Sequence, residues 1–478
     1  KTEGTNKVSQ GTIIDKVDTN TIITNQKTDK ASSNTVTIET NDKNDKVEVT
    51  LKDVNIDTSS RKKAAVSVTG EGDTNIKLDG DNALKSDIYR SGIYGSGSGS
   101  LTISGGENDS LTAQGGSGAN GISSSGSLTI SGGTVTANGD DGGRGISSSG
   151  SVTISGGSTV TANGGNGTIS GGDGICSNGG VTISGGSTVT ANGRSGTISG
   201  GDGIRSGGGL TVSDGTVTAK GGNGDSKDGY GGDGIRSGGV VTISGNTVNA
   251  AGGYGGKVGG YGICSFDRVA ISGGTVEAAG GNGSTGGGSG IYSSGIDLSG
   301  SLELTAKAGS PTGKALLQNG SELELDTIKD KLGPGAKVTA TDANGETKQV
   351  SIPRPVEPEG PVIPEDSSSS SDGGSSAPSA PVSSIPGLTV TDKSGAVISY
   401  TSTQSGNTLT VCVGRFTASF RISLAALRQL RAEGIETITF QTILCSTTLS
   451  VDELLAMGGE DAEAVLTHRL TDSSLTVG

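Results

Sequence analysis

A Gly-Ile pair recurs along the middle of the chain, placing Ile93, Ile122, Ile146, Ile175, Ile204, Ile235, Ile263 and Ile291 at successive intervals of 29, 24, 29, 29, 31, 28 and 28 residues. Eight anchors at near-constant spacing mark a repeat architecture, in which each unit is one supersecondary element. Each unit holds three short segments, as in Gly121-Ile-Ser-Ser-Ser-Gly, Ser127-Leu-Thr-Ile-Ser-Gly-Gly and Thr134-Val-Thr-Ala-Asn-Gly. The segments alternate apolar with polar residues and end in glycine, which is the pattern of strands. Two or three apolar residues cannot support an isolated sheet, but identical segments stacked coil on coil bury a continuous core.

Three inward ladders follow from this stacking. One holds the Gly-Ile isoleucines. A second holds Leu128/Ile130, Val152/Ile154, Val181/Ile183, Leu210/Val212 and Val241/Ile243, and a third runs from Val135/Ala137 to Val276/Ala278. Three strands per unit of 24 to 31 residues predict a mainly β chain folded as a parallel β-helix, right-handed by expectation. Glycine is expected at the corners, where bends need positive φ or close backbone approach. A β-propeller would need four-stranded blades of roughly 40 residues with recurring aromatics; these units are too short and too poor in aromatics.

Composition limits the chemistry. Among 478 residues are 89 glycines, no tryptophan, one methionine and one histidine, His468, which leaves little material for imidazole-rich metal sites or serine–histidine triads. A solvated His468 is expected, because no cysteine or histidine stands at metal spacing from it. The formal charge of −14 supplies no basic footprint for nucleic acid. No apolar run approaches the ~20 residues of a membrane span. The first residues, Lys1-Thr2-Glu3, lack an initiator methionine and an apolar core, so any secretion signal is expected either to have been removed or to lie outside this stretch of sequence.

Four cysteines form no disulfide framework. Cys176 and Cys264 both follow the Gly-Ile pair three coils apart, which at ~4.8 Å per coil separates them by roughly 14 Å, beyond the ~7 Å reach of a disulfide. Both should be free. Cys412 and Cys445 either pair or are two small buried thiols.

The domain reading is a β-helix over 1–352, with irregular first coils and a polar cap in 1–90, glycine-rich repeats in 91–300 and closing coils in 301–352. A Pro/Ser-rich linker over 353–384 follows, and then a small α+β module over 385–478. In that module Ser423 is the expected N-cap of a helix stopped by Gly434, and Ser450 and Glu453 have capping-box spacing.

Three surface features bear on function. Asp173, Asp202 and Asp233 occupy one register in Gly-Gly-Asp-Gly-Ile. Like charges one coil apart repel, so either the carboxylates splay into water or a cation such as Ca2+ sits among them. The calcium-binding nonapeptide pattern is matched once, at Gly221-Gly-Asn-Gly-Asp225, and fails in the equivalent loops. Arg205 and Arg236 stack on adjacent coils, with Tyr230, Tyr254 and Tyr261 in neighbouring loops. Tyrosine faces stack on sugar rings and arginine forks match carboxylates such as those of uronic acids; the plainer alternative is a set of solubilising residues. Outward pairs Thr134/Thr136, Thr159/Thr161, Thr188/Thr190 and Thr216/Thr218 form an array of the kind that ice-binding β-helices present, although threonine is also simply a good strand residue.

The stretches Thr50-Leu-Lys-Asp-Val-Asn-Ile-Asp and Ile76-Lys-Leu-Asp-Gly-Asp-Asn-Ala-Leu-Lys-Ser, followed by the Gly-Ile units, resemble repeat-rich surface proteins of Firmicutes. These are of the carbohydrate-binding domain-containing type and related to pectate-lyase-like β-helices. The likeness covers about 45–310. It implies a β-helix in a secreted or cell-surface setting, and some relatives bind plant-wall polysaccharide with calcium. The expectation is a non-catalytic, monomeric carbohydrate-binding or adhesive protein whose partner is a polysaccharide or surface glycan. A structural stalk presenting the terminal module and a calcium-dependent lyase acting through Arg205 beside Asp202 and Asp233 are the alternatives, with ice binding more remote.

Overall fold

In the computed structural model the described residues are 7–10, 13–15, 21–25, 30–353, 385, 387–392, 397–398, 400–405, 407–413, 417–442, 446–459, 462–468 and 473–477. The linker expected over 353–384 falls outside them from 354 on. The chain divides into two units, Lys1–Glu359 and Gly360–Gly478. The first is a parallel β-solenoid of about 13 turns.

The expected ladders are present in register. Ile93 pairs with Ile122, Ile122 with Ile146, and the column continues through Ile175, Ile204, Ile235, Ile263 and Ile291 to Leu316. Every isoleucine in it is fully buried, which contributes ~1.5–3 kcal/mol for each such side chain removed from water. The second ladder stacks Leu101, Leu128, Val152, Val181, Leu210 and Val241. The third forms a separate 12-stranded sheet running from Asn55–Asp57 to Thr347–Ser351.

One internal column is polar. Ser148, Ser177, Ser206 and Ser237, two residues after each isoleucine, are buried, and each hydroxyl donates to a carbonyl of the preceding coil at 2.8–3.1 Å. A buried hydroxyl with a partner is tolerated where an orphan would cost ~1–3 kcal/mol.

The regular coiling begins earlier than expected. Val36–Glu39, Lys46–Lys52 and Asn55–Asp57 already pair in parallel with Val66–Thr69, Asp73–Asp79 and Asp81–Lys85. Antiparallel strands occupy both ends: Lys7–Gln10 lies on Val36–Glu39, and Thr347–Ser351 lies on Lys337–Thr341. Reversing the strand direction takes up an edge that would otherwise offer its hydrogen bonds to another chain.

Glycine serves two distinct needs. At the Ser-Gly-Gly corner, Gly132, Gly133, Gly156, Gly157, Gly185 and Gly186 have φ of +62° to +84°, a region that penalises a Cβ. On another side of the coil, residues 164–173, 193–202, 221–233, 252–261 and 280–289 form a wing whose glycines are needed for close approach. A Cβ on Gly201 would stand 2.1 Å from the carbonyl oxygen of Gly172, and one on Gly232 2.0 Å from that of Gly201. The wing has its own parallel bridges, Gly167 to Gly196 to Gly224 and Ser170 to Ser199 to Tyr230 to Val258. In the coil after Ile263 the corner glycine is missing: Phe266, Asp267 and Arg268 stand exposed, and the first two strands fuse into Ile263–Ile271.

The outward threonines are in register as expected, Thr134 through Thr159 and Thr188 to Thr216. This places the array without testing its binding.

The second unit contains two four-stranded sheets and the helices Leu424–Ala432 and Val451–Met457. Ser423 accepts from the Ala426 N–H and Ser450 from the Glu453 N–H, as the capping signals predict. His468 departs from expectation. It is fully buried, with Nε2 2.9 Å from the Thr447 hydroxyl and its ring edge-on to Phe420 at 5.5 Å, and burial lowers its pKa. The pairing expected as one option for Cys412 involves Cys445, outside the described residues.

Gly201→Ala is expected to lower the solenoid's melting temperature more than Gly157→Ala, where a Cβ meets nothing within 4 Å and only the left-handed conformation, about 1–2 kcal/mol, is charged. Equal shifts in thermal melts would show that backbone conformation alone sets the need for glycine.

Candidate functional site

The position before the six Gly-Ile pairs from Gly121-Ile122 to Gly262-Ile263 forms a column of its own: Asn120, Arg144, Asp173, Asp202, Asp233 and Tyr261. The column lies where the wing meets the first sheet, and its residues line a groove of about 670 Å³. Arg205 and Arg236, from the outward side of the isoleucine strands, line it too, and Tyr230 stands on the wing wall. The repeat thus carries side chains far apart in sequence to one surface, one rung per coil.

The three aspartates do not splay into water. Asp173 and Asp202 are 6% exposed and Asp233 3%. The structure supplies a third way to seat them: each uses Oδ1 to accept the backbone N–H at the same position one coil on. Asp202 N donates to Asp173 at 2.8 Å, Asp233 N to Asp202 at 2.8 Å and Tyr261 N to Asp233 at 2.7 Å. Asn120 does the same for Arg144 N, at 2.8 Å. Two of the carboxylates also meet guanidinium groups, Asp173 with Arg144 Nε at 3.2 Å and Asp233 with Arg236 at 3.1 Å.

Electrostatics separates them further. Burial, followed by the charges of Asp233 and Asp173, pushes the Asp202 carboxyl up to about 8. Burial also raises Asp233, to about 6, against the opposing pull of the Tyr261 N–H and Arg236. Among the described residues no group of three or more His, Cys, Asp or Glu side chains is gathered to hold a metal ion; each of these carboxylates instead already has a protein donor. Asp225 is exposed and does not line the groove.

The candidate ligand residues divide. Arg205, Arg236, Tyr230 and Tyr261 come together; Tyr254 is exposed but does not line the groove. Tyr261 stacks on Tyr292 with centroids 5.0 Å apart, Arg236 lies 5.1 Å over the Phe266 ring, and the Lys257 ammonium lies 5.7 Å over Tyr230. Arg144, Asn120, Tyr292 and Phe266 were not singled out from the sequence. The signal for the first two was their place immediately before Gly145-Ile146 and Gly121-Ile122.

Cys176 and Cys264 are free, as expected, with Arg205 and Arg236 between them in the same column. Burial pushes the Cys264 thiol up to about 12, so it is no reactive thiolate at neutral pH.

A scan of family models, a search of curated proteins and a search of solved structures each gave no match.

The raised carboxyls predict a pH dependence with a definite sign. A carboxyl raised above its ordinary value near 3.8 stabilises the fold fully below that value and loses the contribution as pH rises through about 6 for Asp233 and about 8 for Asp202. The solenoid is therefore expected to melt several degrees lower at pH 8.5 than at pH 5. Asp202→Asn, which keeps the Oδ1 acceptor as Asn120 does, should shrink that difference. Identical pH profiles for the two proteins would contradict the assignment.

Proposed function

We propose that the solenoid is a carbohydrate-binding, adhesive module whose groove takes an acidic polysaccharide. The observation that carries this reading is the convergence of Arg144, Arg205 and Arg236 with Tyr230 and Tyr261 in one open groove on a chain of net charge −14. Guanidinium forks match carboxylates, and a tyrosine offers both a flat apolar face and a hydroxyl. The groove crosses several coils, so an extended polymer laid along it meets one rung after another. The resemblance to repeat-rich surface proteins supports the same reading and a place outside the cell.

A second reading is a stalk that carries the terminal unit, favoured by the unbroken isoleucine column and the antiparallel strands at both ends of the solenoid. Titration of the full chain with polygalacturonate separates the two. Saturable binding that weakens with added salt is expected. Retention of no acidic glycan, with or without calcium, would leave the stalk; a rise in absorbance from unsaturated uronide ends would replace binding by lyase chemistry.

A further inference from the structure

Three guanidinium groups enter the groove, and two are already engaged. Arg144 holds Asp173 at 3.2 Å, and Arg236 holds Asp233 at 3.1 Å. Arg205 lies between the coils of these pairs, facing Cys176 on one side and Arg236 on the other in the strand register. It is exposed and has no ion-pair partner among the described residues. Asp202 stands three residues before it, the same offset by which Asp233 reaches Arg236, yet no pair forms.

Asp202 itself explains the difference. Its Oδ1 accepts the Asp233 N–H. Its carboxyl is nine-tenths buried between Asp173 and Asp233, and it stays protonated up to about 8. A neutral carboxyl exerts little pull on a guanidinium. At neutral pH the groove therefore holds three guanidinium charges against the two ion-paired carboxylates. One surplus positive charge stands on a single coil of an acidic chain.

We propose that Arg205 alone reads the acid group of the ligand: one carboxylate of an acidic polysaccharide seats on its guanidinium, while Arg144 and Arg236 are positioning residues that hold the flanking aspartates in the groove floor. This rests on the reading of the groove as an acidic-glycan site. It narrows the ligand to a uronic-acid polymer with at least one free carboxylate where the chain crosses Arg205, the remaining units being free or esterified. A bidentate guanidinium–carboxylate pair supplies the discrimination.

The test uses the full chain, titrated calorimetrically with polygalacturonate and with its fully methyl-esterified counterpart, each also against Arg205→Gln, Arg205→Lys and Arg236→Gln. The unaltered protein is expected to prefer the free acid at least tenfold. Arg205→Gln should bind both polymers alike and melt closer to the unaltered protein than Arg236→Gln does, since its side chain has no ion pair to lose and only a longer-range attraction to Asp233, and Arg205→Lys should restore part of the preference. Arg236→Gln should melt lower, because Asp233 loses its cation, yet keep the preference. Retention of the preference in Arg205→Gln, or its loss in Arg236→Gln without a change in melting, would overturn the assignment. An unaltered protein that binds both polymers equally would sink only the role of Arg205, whereas one that binds neither would sink the glycan reading with it.

Discussion

Each coil of this solenoid is held by backbone hydrogen bonds to the coil before and the coil after, and every other feature depends on that parallel register. Ile146 N donates to Gly174 O, Ile175 N to Gly203 O and Ile204 N to Gly234 O, all at 2.9 Å. Once these bonds fix the stacking, side chains at equivalent positions fall into columns whether or not they attract one another. Isoleucine columns pack well, serine columns find carbonyls, and asparagines bond to each other, as Asn163 does to Asn138 and Asn192 to Asn163 at 2.8 Å. The aspartate column is the case in which stacking imposes a cost, met by an amide on the next coil and by arginine.

The glycine wing follows from the same register. Its backbone runs so close to that of the neighbouring coils that carbonyl oxygens occupy the space a Cβ would need. With no side chains to separate them, the strands of the wing form a thin, hydrogen-bonded wall. Gly172 N donates to Gly165 O within one coil, and Gly165 N donates to Gly143 O of the preceding coil, at 2.8 and 2.7 Å. That wall forms one side of the groove. The glycine that dilutes the core of this chain thus also builds the surface on which its charged residues converge.

Much of the fold was legible in the sequence, because alternation and spacing report directly on strand and register. The three ladders, the free Cys176 and Cys264 and the caps at Ser423 and Ser450 follow from local pattern alone. Burial of the aspartates did not, since spacing gives the column but not whether the side chain enters the bend or leaves it. Tyr230 and Tyr254 read alike in sequence and differ in placement because the wing bonds Tyr230 into its inner bridge column. His468 was misread for a related reason: Phe420, 48 residues away, reaches it through strand pairing within one sheet, and Thr447, 21 residues away, comes from a strand of the other sheet. The calcium expectation weighed charge repulsion and one loop match at Gly221–Asp225, without the amide that seats each carboxylate.

The unequal intervals between isoleucines acquire a meaning from the wing. The 24-residue coil from Ile122 to Ile146 has a short loop, whereas the coils of 28 to 31 residues that follow have the long glycine loops of the wall. The core is indifferent to this difference, since all of them contribute the same inward columns of side chains. Each of the four long coils between Ile146 and Ile263 therefore adds one glycine-walled rung to the groove. Duplication of one such unit would extend the groove by one rise, ~4.8 Å, together with its rung of side chains, while the hydrophobic interior gained only another copy of what it already holds. The groove of this protein can lengthen by copy number, with no new packing problem to solve.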